Sequence, residues 1–353
     1  MDDSRASRLA DVLSGESSFR IRQAEEALYG GHFRSWTETA SLPKVLRERL
    51  EAEIPWLSVS KVAIFPSKRS DAWKALLRTS DGNGVESVLM RNSRNHFTVC
   101  VSTQIGCAMN CAFCATGKIG LIRNLSQDEI VDQVRFFRGY VADSKLSGEI
   151  TNIVLMGMGE PLANYEEVRE ALRTFTGPMG IGTTRITVST VGLLPGLDRL
   201  VKDPDWPPVR IAVSLHAANE NTRKNMMPTT STGFLDRLVA WSHDYAEAFP
   251  EKRRHLTFEY LLLAGINDSE EDARKLIALS RRVGKVRINL IPYNSTDSIH
   301  SGSDANTVMR FKRWIESNGI TVTIRKSQGG DIAAACGQLA GKTVSGERIT
   351  NSG

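Results

Sequence analysis

Residues 107–120 read CAMNCAFCATGKIG, so three of the five cysteines in the chain lie within eight positions. Thiolates are soft ligands that suit iron–sulfur clusters or zinc. A structural zinc site usually needs four ligands, commonly from two CxxC motifs, and this sequence has only one. Three close thiolates can instead hold three irons of a cubane cluster and leave the fourth iron open. The stretch therefore predicts a catalytic iron–sulfur site with Cys107, Cys111 and Cys114 as its ligands.

Two other interpretations of the cysteines stay open on the residues alone. The three thiols could share a zinc ion with a histidine such as His216, or they could be buried without any ligand. The remaining cysteines, Cys100 and Cys336, stand apart from the cluster. Each of these two, judged from its neighbours alone, is also typical of a buried core position.

Composition and charge leave a broad class of proteins. The 353 residues include 41% AVILMFWYC and 24% charged residues, ordinary values for a globular protein with one large core. The net charge of +5 is compatible with RNA but does not identify a partner. No apolar run suggests a signal peptide or a membrane span, so we expect a cytosolic protein. A reducing cytosol keeps thiols free, which favours metal binding or catalysis over disulfides.

The hydrophobic pattern changes along the chain. Residues 1–60 show helical periodicity and predict a small helical module, and residues 61–95 predict a small β extension with a hairpin at DGNG. From residue 96 to 345, apolar strands alternate with amphipathic helices, which is typical of a parallel α/β sheet. Residues 346–353 predict a frayed tail. Ligands of such sheets bind at the carboxyl ends of the strands.

The CxxxCxxC spacing, with Phe113 directly before the third cysteine, resembles the signature of the radical S-adenosylmethionine enzymes. Further motifs follow in the order found in the RlmN and Cfr adenine methyltransferases, and the resemblance extends from about residue 85 to residue 342. These motifs are GMGEPLANY (157–165), ITVSTVG (186–192), SLHAANE (214–220), INLIPYN (288–294) and DIAAACGQLAG (331–341). The resemblance implies a partial (β/α)6 barrel of about six parallel strands, beginning at FTVCVST, behind the helical module and the β extension.

The resemblance also implies the cofactors and the reaction. It implies one [4Fe–4S] cluster and two molecules of S-adenosylmethionine per turnover. The first molecule methylates a cysteine, which matches Cys336, and the second supplies a 5′-deoxyadenosyl radical that activates this methyl group. A resolving cysteine, which matches Cys100, then releases the methylated adenine, and Glu86 matches the acidic residue that accepts the ring proton.

Matching the motifs residue by residue implies the positions that bind S-adenosylmethionine. Gly159 and Glu160 correspond to the residues that hold its amino end, and the remaining matches correspond to groups around its ribose, adenine and carboxylate. The remaining matches are Ser189, Ser214, Leu215, His216 and Asn294.

The resemblance implies an RNA substrate. An RlmN-type enzyme methylates carbon 2 of an adenine in 23S ribosomal RNA, at the peptidyl transferase centre, and some members also modify transfer RNA. A Cfr-type enzyme methylates carbon 8 of the same ribosomal adenine and confers antibiotic resistance, and a non-catalytic iron–sulfur or zinc RNA-binding protein is a more remote alternative. We expect an electron donor such as flavodoxin or ferredoxin, a monomer, and no membrane partner.

Several basic residues are candidates for phosphate contacts, although such charges usually form a solvated face. They are Lys118, Arg123, Arg185, Arg281, Arg282, Lys285, Arg287, Arg325 and Lys326.

Overall fold

The computed structural model describes residues 4–250, 256–296, 299–325 and 328–339. Lys326 and the predicted tail at 346–353 lie outside the described residues. Within the described part of the chain, no helix is both long enough and apolar enough to cross a membrane.

Three helices form the amino-terminal region, as the periodicity of residues 1–60 predicts. They are α1 (Arg5–Val12), α2 (Ser18–Tyr29) and α3 (Lys44–Glu53). The serines Ser4 and Ser17 cap the first two helices by accepting hydrogen bonds from backbone N–H groups. Trp36, which is fully buried, donates from its indole nitrogen to the Ile54 carbonyl at 2.9 Å and ties the connecting loop to the end of α3. Phe19 and Val45, which belong to the helical pattern, are exposed.

The DGNG hairpin is confirmed. The first three strands, β1 (Val59–Pro66), β2 (Ala72–Thr79) and β3 (Gly84–Arg91), pair in antiparallel fashion. They continue directly into β4 (His96–Cys100), which is antiparallel to β3. The β extension therefore belongs to the same sheet as the parallel strands, and β3 lies between two neighbours.

The rest of the chain alternates strands and helices, and every strand of the main sheet in this part runs parallel to its neighbours. In chain order the elements are β5 (Gln104–Gly106), β6 (Leu121–Asn124), α4 (Gln127–Asp143), β7 (Glu149–Leu155), α5 (Tyr165–Thr176), β8 (Ile186–Thr190), α6 (Leu194–Lys202), β9 (Arg210–Ser214), α7 (Glu220–Met226), α8 (Phe234–Ala248), β10 (Leu256–Leu262), α9 (Glu270–Val283), β11 (Val286–Pro292), α10 (Ala305–Glu316) and β12 (Thr321–Ile324).

Within the described residues the main sheet has ten strands in the order β1-β2-β3-β4-β7-β8-β9-β10-β11-β12, and β5 pairs separately with β6. Six parallel strands form the partial barrel that the sequence predicts, and they are β4, β7, β8, β9, β10 and β11. β12 adds a seventh parallel strand beside β11, because the ITVTIRK segment returns to the sheet after α10. As predicted, FTVCVST contains the first barrel strand, β4, and the cysteine-rich loop follows it.

Candidate active site

The cysteine-rich loop is enclosed by the small β5–β6 hairpin. Gly106 has a φ of +76°, and a Cβ atom built on it would lie 1.8 Å from the Gly120 carbonyl oxygen, so only glycine fits at this closure. The Cys107 N–H donates to the same Gly120 carbonyl at 2.9 Å, and the Ala112 N–H donates to the Met226 carbonyl at the end of α7 at 2.9 Å. The loop is thus fixed at its base and at its tip.

Cys107, Cys111 and Cys114 all line one cavity at the carboxyl ends of the strands. Burial raises the pKa of Cys107 to about 11, and burial together with the nearby Cys114 and Cys107 raises the pKa of Cys111. The thiols of Cys107 and Cys111 are therefore protonated until a metal displaces the protons. Within the described ranges, no three His, Cys, Asp or Glu side chains could hold a metal ion together. Cysteines that each bind a different iron of a cubane need not meet at one point, so this donor set fits a [4Fe–4S] cluster better than a single zinc ion shared with His216.

Gly159 and Glu160 follow β7 and line the same cavity. Gly159 has a φ of +101°, and a Cβ on it would lie 2.5 Å from the Gln104 side chain. Glu160 is buried and accepts hydrogen bonds from the N–H groups of Leu162 at 3.0 Å and Val191 at 2.8 Å. Burial raises the pKa of Glu160 to about 6, although these hydrogen bonds favour the ionised form. The carboxylate is therefore a buried acceptor beside the cysteines.

Ser189, Ser214 and His216 also line this cavity, whereas Leu215 does not. The two serine hydroxyl oxygens are 3.5 Å apart on adjacent strands. The Nδ1 atom of His216 accepts a hydrogen bond from the Leu261 N–H at 3.0 Å, and burial lowers the pKa of His216 to about 3. The imidazole is therefore neutral at physiological pH. The Leu215 side chain lies in the hydrophobic core, so only its backbone is available to a ligand.

A second, smaller cavity contains Cys100 and Asn294. Cys100 ends β4 and packs among apolar residues that include Val88, Met158 and Ala334. Burial and the neighbouring Cys336 raise the pKa of Cys100 to about 12, so its thiol is protonated at rest. The sequence motifs predict Asn294 beside Ser189 and Ser214, but the structure places it in this second cavity instead.

Cys336 lines both cavities and is exposed, and Cys100 and Cys336 are both free thiols. The loop that carries Cys336 is held on one side by the cysteine-rich loop, because the Ala115 N–H donates to the Gly337 carbonyl at 2.7 Å and the Thr116 hydroxyl donates to the Leu339 carbonyl at 2.6 Å. Gly337 has a φ of +82°, which permits the turn next to Cys336. Cys336 therefore stands between the three-cysteine cavity and Cys100.

Glu86 does not line either cavity. Its side chain is buried and forms an ion pair with the Lys74 ammonium at 3.2 Å. Lys74 also donates to the Ala333 carbonyl at 3.2 Å, three residues before Cys336. Glu86 does not lie on an edge strand, because β3 is flanked by β2 and β4. Glu86 is linked to the Cys336 loop through Lys74.

Sequence reasoning missed a charged pair at the boundary of the two cavities. Arg325 lines both of them and donates to the buried carboxylate of Glu259 at 3.3 Å. Cys336 is the largest cause of the raised pKa of Arg325, and Glu259 and Cys100 act in the same direction. The sequence makes Arg325 a candidate phosphate contact, but the residue lines both cavities together with Cys336. The sequence does contain one signal for this pair. Glu259 interrupts the apolar run LTFEYLLLAG, and a charged residue in a buried strand needs a partner.

Two other candidates for phosphate contacts form ion pairs within the protein. Arg123 donates to Asp81 at 2.6 Å and to both carboxylate oxygens of Glu129 at 2.8 Å. These bonds fix the β5–β6 hairpin to α4 and to the β2–β3 turn. Arg282 pairs with Asp236 at 2.6 Å. Arg123 and Arg282 therefore each form an ion pair within the protein.

Comparisons with known proteins identify the family of this chain. The family model for the radical SAM superfamily matches residues 101–277. The chain is 42% identical to the dual-specificity RNA methyltransferase RlmN of Solidesulfovibrio magneticus, over 93% of this chain and 92% of that protein. It is 38% identical to the protein of the same name from Halorhodospira halophila, over 97% and 92% of the two chains. The crystal structure of a radical SAM methyltransferase from Sphaerobacter thermophilus superposes with a TM-score of 0.87 at 37% identity and covers 96% of each chain.

Proposed function

The chain belongs to the radical S-adenosylmethionine superfamily and, within it, to the RlmN RNA methyltransferases, and from this membership we propose that it methylates carbon 2 of an adenine in 23S ribosomal RNA. We propose that transfer RNA is its second substrate, in keeping with the dual specificity in the names of its relatives. The family uses S-adenosylmethionine and a [4Fe–4S] cluster.

The position of Cys336 carries this proposal. It lines the cavity of the three clustered cysteines and the cavity of Cys100. A methyl-carrying cysteine must reach the methyl donor at one stage and the resolving cysteine at another. The shared position of Cys336 supports the proposed pairing of these two roles.

Cys107, Cys111 and Cys114 would hold the cluster, and Glu160 would accept hydrogen bonds from the amino group of S-adenosylmethionine. Ser189, Ser214, the Leu215 backbone and His216 would contact the rest of that cofactor. Asn294 would contact it from the side of the second cavity. When bound and reduced, the cluster and S-adenosylmethionine supply a 5′-deoxyadenosyl radical that abstracts hydrogen.

The sulfur chemistry proceeds on Cys336 and Cys100. The Cys336 sulfur would lose its proton to solvent and take the methyl group of a first S-adenosylmethionine, which would leave as S-adenosylhomocysteine. A second one would be consumed, as methionine and 5′-deoxyadenosine, when a hydrogen atom leaves this S-methyl group. The methylene carbon would then bond to the adenine carbon, and the adduct would lose the ring proton to a base and one electron to the oxidised cluster. The Cys100 thiolate attacks the Cys336 sulfur, an S–S bond forms, the C–S bond breaks, and the released carbon takes up a proton to become the methyl group. The disulfide must be reduced before the next turnover.

We propose Glu86 as the acceptor of the ring proton, and its link to the Ala333 carbonyl through Lys74 supports this role. Glu86 lines neither cavity.

We also propose the division into a helical RNA-binding module at 1–60, a β extension at 61–95 and a catalytic domain at 96–345. A flavodoxin or ferredoxin would supply electrons to a monomeric, cytoplasmic enzyme.

The test is nucleoside mass spectrometry after incubating reconstituted, reduced protein with methyl-deuterated S-adenosylmethionine and unmodified ribosomal RNA. We expect labelled 2-methyladenosine. Labelled 8-methyladenosine would replace this proposal with Cfr-type chemistry. If 5′-deoxyadenosine forms and no RNA is labelled, the proposed substrate is wrong.

A further inference from the structure

A third cavity lies where the amino-terminal helices meet the carboxyl-terminal half of α4, and it shares no lining residue with the two cysteine cavities. We name it the seam cavity. Its volume is about 250 Å³, far above the ~10–15 Å³ that one water molecule needs. Its charged and aromatic lining includes Arg34, Lys61, Arg135, Arg138, Trp56 and Tyr140.

The arginines of the seam cavity are held in place by backbone carbonyls. Arg135 donates from Nε to the Leu28 carbonyl at 2.9 Å and from Nη1 to the Trp56 carbonyl at 2.6 Å. Arg138 donates to the Tyr29 carbonyl at 2.6 Å and to the Met179 carbonyl at 3.1 Å. Because these bonds immobilise the guanidinium groups before any ligand arrives, binding to them costs little side-chain entropy.

Positive charge exceeds negative charge around this cavity. Asp143 supplies the carboxylate of the lining, and its side chain is 72% exposed and 3.6 Å from Arg34 Nε. The buried Asp132 behind Arg135 also pairs with Arg5. In the described parts of the chain, no carboxylate lies within ion-pair distance of Arg138 or Lys61. Burial and the charge of Arg135 lower the pKa of Arg138, as expected where cations outnumber anions.

One lining residue has a buried donor without an acceptor. The Nη2 atom of Arg135 is buried and has no hydrogen-bond partner in the described structure. The Arg135 side chain is 5% exposed. Buried N–H groups are rarely left unpaired, so an oxygen-rich anion is the ligand that would complete them.

The aromatic side chains add a second kind of recognition. Arg135 already lies over the Trp56 ring at 4.9 Å, and Phe33, Phe136 and Tyr140 complete the apolar wall. Guanidinium groups bind phosphate, and aromatic rings stack on unpaired bases. A nucleotide presents both groups at adjacent positions.

We propose that the seam cavity binds one nucleotide of the RNA substrate, with its phosphate at the guanidinium groups and the Lys61 ammonium and its base against the aromatic wall. This inference rests on the proposed function. Such a contact, made away from the reacting adenine, would set the register of the RNA on the enzyme.

The test compares Lys61→Gln with Lys44→Gln in the reconstituted full-length protein. Both lysines are exposed in the amino-terminal part of the chain, but Lys44 pairs with Glu48 and does not line the cavity. Binding of unmodified transfer RNA is measured from about 50 to 200 mM salt, and loss of one phosphate contact lowers the slope of log K against log salt by about 0.7–0.9. We expect this decrease for Lys61→Gln and the wild-type slope for Lys44→Gln.

A second pair of variants tests the aromatic wall. We expect Tyr140→Ala to weaken RNA binding about tenfold without changing the slope, and Tyr140→Phe to bind like the wild type. Equal slopes for Lys61→Gln and Lys44→Gln would overturn the inference. A final experiment titrates the protein with adenosine monophosphate. If Tyr140→Ala abolishes this binding while the salt dependence of RNA binding is the same in all variants, the cavity binds a free nucleotide and the inference is also overturned.

The outcome separates this inference from the proposed function. If the wild-type protein methylates RNA while Lys61→Gln behaves like its control, only the seam-cavity inference fails. If the wild-type protein neither binds nor methylates RNA, both fail.

Discussion

The pH dependence of S-adenosylmethionine binding tests the role of Glu160. Burial raises the pKa of this carboxyl to about 6, and two backbone N–H groups already bind its oxygens. For an acid with a raised pKa, the folded state holds the proton more tightly than the unfolded state. Stability that is present below pH 4.5 is therefore lost as the pH rises through 6, by about 2 kcal/mol at ~1.36 kcal/mol per pH unit.

The ligand needs the ionised form, because a protonated carboxyl loses acceptor capacity towards the amino group. With a pKa of about 6, only about a quarter of Glu160 is ionised at pH 5.5, so we expect affinity about fourfold weaker than at pH 7.5. His216 stays neutral over this range because burial lowers its pKa to about 3. The α-amino group of the ligand titrates near 8 and affects wild type and variants alike.

Equilibrium dialysis of S-adenosylmethionine against the reconstituted protein at both pH values provides the measurement. We expect Glu160→Gln to remove the Glu160-dependent change and to weaken binding at pH 7.5 by about tenfold to a hundredfold, the value of a charge-assisted hydrogen bond. Glu149→Gln is the control, because Glu149 is exposed at the opposite end of β7. The reasoning is refuted if Glu160→Gln keeps the pH dependence of the wild type.

Three further variants test separate parts of the site. Gly106→Ala should reduce iron incorporation and should lower the free energy of unfolding by more than about 2 kcal/mol, because its Cβ would meet a carbonyl oxygen. The control Gly82→Ala has a similar φ of +85° but open space around it, so it should lose only about 1 kcal/mol. Equal melting temperatures of the two variants would contradict this. Cys111→Ala should bind little iron while Cys336→Ala keeps about four irons per chain, and normal iron content in Cys111→Ala would exclude it as a ligand. Arg325→Gln should lower the free energy of unfolding by about 3 kcal/mol, because it leaves Glu259 buried without its cation. A second change, Glu259→Gln, should restore most of this loss. Additive losses in the double variant would show that the two side chains do not interact.

The features that the sequence predicts best are those carried by neighbouring residues. The cysteine spacing and the alternation of strands and helices are local patterns, and they lead to the three-cysteine cavity and the parallel sheet. The pairing of Arg325 with Glu259 joins residues 66 positions apart, and neither segment by itself indicates the other residue as its partner. Arg135 and Arg138 likewise look like the polar face of α4, and only the docked amino-terminal helices turn them into a cavity wall.

Asn294 illustrates a different limit. Asn294 lies two residues after the end of β11, and a motif does not specify which of two adjoining cavities its side chain enters. That depends on the path of the Cys336 loop, which is fixed by long-range contacts such as the one between Thr116 and Leu339.

The most direct test of the central claim, that Cys336 carries the methyl group between the two cavities, uses Cys100→Ala with substrate RNA, S-adenosylmethionine and a reductant. Without the resolving thiol, we expect the protein to accumulate covalently bound to RNA, and peptide mass spectrometry should find the adenine joined through one carbon to the Cys336 sulfur. The double variant Cys100→Ala/Cys336→Ala should give no adduct. An active Cys100→Ala enzyme that releases methylated RNA and forms no adduct, or an adduct at another residue, would contradict the account.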